Sequence, residues 1–112
     1  MVFGFGKSAK HREIDAVALH EMILADKALV VDVRETDEFA AGHIPGAINM
    51  PLSSFNADQI SDPLDRVVVL SCLGGKRSGM ALDKCRSAGS VVDTHLAGGF
   101  GAWKSAGLPI ER

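Results

Sequence analysis

No charge of one sign dominates this sequence. Twelve lysines and arginines stand against fourteen aspartates and glutamates, for a net charge of −2. There is therefore no global basic field to attract nucleic acid or an acidic membrane surface. Long apolar runs are also missing, and none approaches the length that spans a bilayer. The apolar opening Met1-Val2-Phe3-Gly4-Phe5-Gly6 is too short for the hydrophobic region of a signal peptide, and no cleavage site follows it. Cysteine is scarce: Cys72 and Cys85 are the only two, and they form no C-x-x-C, so a thioredoxin-like redox pair has no motif. His11, His20 and His95 are scattered and make no metal-ligand spacing with each other or with the cysteines. No internal repeat or low-complexity segment is present. The expectation is a cytoplasmic protein with both thiols reduced, no metal, no nucleic-acid partner and no membrane partner.

What is there is one domain's worth of chain. At 112 residues and 46% hydrophobic composition it can bury one sizeable core. Residues 1–12 read as a loose arm or short edge strand, and 13–112 as a single domain. Asp15 is placed to cap a helix over 16–25. The run ALVVDV, 28–33, reads as a buried strand. Thr36 is expected to cap a short helix with Asp37 and Glu38 in its first turn, ended by Gly42. A brief strand is expected at 47–49, a weak helical segment and polar loop over 53–66, and a second clear strand at 67–71. A helix over 78–87 ends at Gly89, a strand follows at 91–96, and a last helix covers 100–106. Strands alternating with helices indicate an α/β domain with a mainly parallel sheet covered on both faces.

The chemistry gathers in SCLGGKRSG, residues 71–79, between the strand at 67–71 and a helix. Ligands in open α/β sheets bind beyond the carboxyl ends of the strands, where Cys72 falls. Gly74 and Gly75 let the backbone curl and turn its N–H groups inward. The helix N-terminus, Lys76 and Arg77 add positive charge. Such surroundings favour a thiolate and an anion beside it, which a buried inert cysteine would not need. Only six residues run from Cys72 to Arg77, counting both. A ring of amides around a tetrahedral phosphate is usually one residue wider, so the loop suits a sulfane sulfur carried on the cysteine.

The loop CLGGKRS resembles the active-site loop of single-domain rhodaneses, C-x-x-G-x-R-S/T. LVVDVRETDEFAAGHIPGAINMPL, 29–52, and LAGGFGAWKSAGLPIE, 96–111, are similar to that family's first and last signatures. The resemblance implies the rhodanese fold, with a central, mainly parallel five-stranded sheet and helices on both faces. It implies a sulfurtransferase without cofactor, working through a persulfide on Cys72. The backbone amides of Leu73, Gly74, Gly75, Lys76, Arg77 and Ser78 would hold the charged sulfur, and Lys76 and Arg77 would bind an anionic donor. The partners implied are a small-molecule sulfur donor (thiosulfate or a persulfide) and a thiol, protein or cyanide acceptor. Leu73 departs from many relatives, which carry a polar or basic residue there. Two alternatives stand beside this reading: a phosphatase or arsenate reductase of the same fold, and a catalytically silent binding module.

Asp32, Arg34 and His43 read as structural support near the loop rather than as catalytic groups. Cys85 reads as a small core residue on the helix after the loop, the sharper alternative being a resolving thiol. Trp103 reads as a packing anchor of the last helix.

Overall fold

The computed structural model describes residues 5–8, 11–60 and 65–112. In chain order the elements are β1 (Phe5–Ser8), β2 (His11–Ile14), α1 (Ala16–Leu24), β3 (Ala28–Asp32), α2 (Thr36–Ala41), β4 (Ile48–Asn49), β5 (Val67–Ser71), α3 (Lys76–Ser87), β6 (Thr94–Leu96) and α4 (Gly99–Ser105). Two 3₁₀ turns, Leu52–Ser54 and Ala57–Gln59, stand where a weak helix is expected. The polar loop expected at Ser61-Asp62-Pro63 lies outside the described residues. The sheet order is β1-β2-β6-β5-β3-β4. The five strands from β2 to β4 are parallel, and β1 adds an antiparallel sixth at the edge. β2 straddles the boundary placed between residues 12 and 13. Among the described residues, no helix is long and apolar enough to cross a membrane.

Successive residues of a strand face opposite sides of a sheet, and here both sides are buried. Ala28, Val30 and Val69 join Leu19, Phe100 and Trp103 in a core beneath α1 and α4. Val31, Val68 and Leu70 join Ala81, Leu82 and Cys85 in a second core beneath α3. Cys85 is fully buried, where a small apolar residue is expected, and burial pushes its thiol up while the Ser90 hydroxyl pulls it down. Trp103 is also fully buried and donates its indole N–H to the Pro109 carbonyl at 2.7 Å.

Local chemistry sets the element ends. Asp15 caps α1, its carboxylate accepting from Ala18 N–H at 2.8 Å. α2 corrects the sequence reading: Thr36 is its first helical residue, and Glu35 is the cap, with its own N–H donating to the Glu38 carboxylate at 3.1 Å. The apolar pair Val91-Val92 suggests a strand, but pairing begins only at Thr94, and Val91 is 80% exposed.

Candidate active site

β5 delivers Cys72 to the carboxyl edge of the sheet, and α3 begins four residues later. Between them the chain curls around the sulfur. Gly75 adopts φ +112, a left-handed conformation at the mouth of α3 that favours glycine, and its N–H donates to Cys72 Sγ at 3.0 Å. The Ser78 hydroxyl lies 3.5 Å from the same sulfur. Burial pushes the Cys72 thiol up. Hydrogen bonds from the Ser78 hydroxyl and from the backbone N–H groups of Ser78, Gly75 and Gly74 outweigh it, and the thiol stands below the ordinary cysteine value. Leu73 is 45% exposed on the rim, and Lys76 is exposed beside it.

The carbonyls of the loop are held from behind. Phe100 N–H donates to the Cys72 carbonyl at 2.7 Å, and Gly101 N–H donates to the Leu73 carbonyl at 3.0 Å. The first turn of α4 thus takes up the loop's acceptors and leaves its donors for the sulfur. That is the physical content of Gly99 in the C-terminal signature, whose missing side chain lets the turn close on both carbonyls.

Arg77 does not face the loop freely. Its two terminal nitrogens grip the Glu38 carboxylate on α2 at 2.6 and 3.0 Å. The bidentate pair ties the start of α3 to α2, thirty-nine residues apart in sequence. The Arg77 hydrogen bond lowers the Glu38 carboxyl from 4.5 to about 2, against burial, with help from the Glu35 backbone and from the charges of Arg77 and Arg34. A carboxyl depressed in the folded state contributes stability that is full above its unfolded value and lost as pH falls through the folded one. Because both side chains are partly exposed, Glu38→Gln should cost only about 1 kcal/mol at neutral pH. The gap to wild type should close between pH 4.5 and about 2. Urea unfolding across that range checks it; a gap independent of pH would refute the pairing.

Asp32 and Arg34 form a buried pair at the end of β3, Arg34 donating from its Nε and a terminal nitrogen to the carboxylate. Arg34 also donates to the Gly42 carbonyl at 2.7 Å and lies over the Phe100 ring at 4.4 Å, joining the first signature to the last. His43 stacks on Phe39 with centroids 3.7 Å apart, and its Nδ1 sits 2.7 Å from the Phe39 carbonyl. These three residues hold the framework around the loop, and no recorded contact joins any of them to Cys72 Sγ. One residue passed over in the sequence does reach it indirectly. His95, on β6, places Nδ1 2.7 Å from the Ser78 hydroxyl. Seventeen positions separate the two, and only the β5–β6 neighbourhood with α3 packed above brings them together.

The Rhodanese-like domain model matches residues 15–106. The chain belongs to the rhodanese-like domain family. Among curated relatives, it is 44% identical over 94 residues to the uncharacterized protein slr1261 of Synechocystis, covering 84% of this chain and 52% of that one. It is 35% identical over 99 residues to a sulfurtransferase of Allochromatium vinosum, covering 88% and 92%. The chain thus spans about half the length of the Synechocystis relative and nearly all of the Allochromatium one. Among solved structures, a rhodanese-related protein of Thermoplasma volcanium superposes with TM-score 0.76 at 29% identity, covering 88% of this chain and 96% of that one. A Rhodopseudomonas palustris protein described as a possible tyrosine phosphatase gives 0.69 at 32% identity, covering 87% and 82%. The rhodanese-like signatures read from the sequence therefore sit where the fold needs them: the first around Asp32, Arg34 and Glu38, the last at the α4 turn that grips the loop.

Proposed function

We propose that this chain is a sulfurtransferase that carries sulfane sulfur as a persulfide on Cys72. The observation that carries the reading is a thiol ringed by the Ser78 hydroxyl and the loop's backbone N–H groups, which hold it below its ordinary value against burial, in a loop too short to ring a phosphate. The Cys72 thiolate attacks the outer sulfur of thiosulfate or the terminal sulfur of a persulfide. The donor's S–S bond breaks, sulfite or a thiolate leaves with the electron pair, and Cys72–S–S⁻ remains. An acceptor thiolate or cyanide then attacks the terminal sulfur, and Cys72 departs as thiolate. The loop amides stabilise the anionic sulfur in both half-reactions. Lys76, exposed at the rim, attracts the anionic donor. Arg77 adds its positive charge from its seat on Glu38, whose hydrogen bond, with a smaller contribution from the Cys72 charge, holds the guanidinium more basic than usual.

The palustris neighbour gives a phosphatase reading its one support. Against it stand the six-residue loop and an Arg77 whose terminal nitrogens are both taken by the Glu38 carboxylate. Intact mass is the test. Thiosulfate should leave the protein heavier by one sulfur atom, cyanide should remove it, and a generic aryl phosphate should not turn over. Efficient Cys72-dependent aryl phosphate hydrolysis without a sulfur adduct would put the phosphatase first. Neither activity would leave a binding module.

A further inference from the structure

Cys72 is 1% exposed with the loop closed, so its proton has no direct exit to bulk water until the rim opens to admit a donor. The groups that surround its sulfur from the loop backbone are N–H donors, which cannot receive it either. The Ser78 hydroxyl is the contact of Cys72 Sγ with lone pairs to offer. Behind Ser78 stands His95 Nδ1 at 2.7 Å, and behind His95 Nε2 stands a Glu13 carboxylate oxygen at 3.4 Å. Glu13 sits directly across from His95 on β2 and is 35% exposed. Four side chains thus form a continuous row from a buried sulfur to the protein surface.

We propose that Ser78, His95 and Glu13 are a proton path that takes the Cys72 proton out when the thiolate forms. The row has a direction. Glu13 can only accept, so it selects the His95 tautomer protonated at Nε2 and leaves Nδ1 as an acceptor. Ser78 then donates to His95, and its lone pairs face the Cys72 S–H. The Ser78 hydroxyl also has the Gly75 carbonyl at 3.1 Å, a weaker competitor for its single proton. Ionisation shifts two protons by one bond each. The thiol proton goes to Ser78 Oγ, and the proton Ser78 held goes to His95 Nδ1. The imidazolium, beside the Glu13 carboxylate, then loses a proton to solvent. The reversed row leaves Ser78 donating to the thiolate. Burial keeps His95 below the ordinary histidine value, and His11 pushes it the same way against the raising effect of Glu13, so His95 rests neutral and holds a passing proton only briefly. The titratable groups facing it are Glu13 and His11 on β2, with Asp83 of α3 paired to His11 at 3.2 Å. Its sheet neighbour on the other side, Leu70 of β5, carries no charge. His95 is a positioning residue in this scheme, since it meets Cys72 only through Ser78.

The proposal rests on Cys72 reacting as a thiolate, but not on any sulfur donor. The test is the rate at which the ultraviolet absorbance of the thiolate appears after a rapid pH jump, with the equilibrium midpoint read beside it from the pH profile of iodoacetamide alkylation at the Cys72 peptide. The chain has no tyrosine to obscure that absorbance. His95→Asn keeps a hydrogen-bonding group near Ser78 but cannot take a proton. It should slow the appearance of the thiolate at least roughly tenfold while leaving the equilibrium midpoint close to wild type, since a path changes the rate of ionisation and not its end states. Glu13→Gln, at a partly exposed position, should slow it by less and carries the test if His95→Asn does not fold. A purely structural His95 would lower the melting temperature and leave the rate in place. Rates that match wild type in folded protein would overturn the proposal. Wild type that titrates as expected but takes no sulfur from thiosulfate would overturn the sulfurtransferase reading and leave the proton path standing.

Discussion

Cys72→Ser should abolish both the sulfur adduct and cyanide-linked turnover, and Cys85→Ser should keep both. The two thiols differ in what surrounds them. Cys72 sits in N–H donors that favour its anion, and its proton is lowered in spite of burial. Cys85 lies on α3 in the core with Ala81 and Leu82, and burial raises it. A thiol that stays protonated is a poor nucleophile. Serine at position 72 would offer an alcohol that the same amides cannot ionise near neutral pH. Serine at 85 puts a hydroxyl where Ser90 already offers a hydrogen-bonding partner, so the cost should be about 1–2 kcal/mol. Intact mass and peptide mapping under non-reducing conditions read the result. An adduct that survives in Cys72→Ser and maps to the Cys85 peptide would sink the assignment. A Cys72–Cys85 disulfide formed on loading would bring back Cys85 as a resolving thiol.

The stretch from β5 into α3 was legible because its signals are local. An apolar run, two glycines and two adjacent cations specify a strand, a turn and an electropositive helix start within a dozen residues. The strands β3, β5 and β6 were legible for the same reason, since each is a short valine-rich or leucine-containing run between helical segments. What was missed is what depends on strand order. β2, from the start of the chain, pairs with β6, from near its end. That pairing sets Glu13 against His95, and no sequence spacing announces it. The Glu38–Arg77 grip is hidden in the same way, because α2 and α3 meet only once the sheet has formed. Glu35 displaced Thr36 as the cap because its backbone N–H is taken by Glu38 three residues on, whereas a cap at Thr36 would need its partner at Phe39. The hairpin at β1 and β2 offers little apolar alternation, so it read as an arm or edge.

Gly99→Ala should cost far more than a methyl group ordinarily would. Gly99 has φ +57, where an alanine is strained by about 1–2 kcal/mol. Its added Cβ would also meet the Cys72 carbonyl oxygen and come within 2.6 Å of the Leu73 carbonyl oxygen. Both obstacles are backbone, so neither can swing aside as a flexible side chain would. Relief requires α4 and the loop to separate, which breaks the Phe100 and Gly101 hydrogen bonds to those same carbonyls. Freed carbonyls let the loop turn, and the N–H groups that hold the Cys72 sulfur turn with it. The combined loss should be about 2–4 kcal/mol in stability. Sulfur loading should fall at least roughly tenfold, since one pKa unit on the thiol is worth that much. Gly98→Ala is the control. Its φ is +72 and its added Cβ would come within 2.8 Å of the Ala102 Cβ, inside α4 and away from the loop. It should lose stability while its folded fraction loads sulfur normally. Urea unfolding and the rate of adduct formation, measured on both variants, separate the two effects. A folded Gly99→Ala protein that loads as fast as wild type would show that the α4 turn does not hold the loop in its working shape.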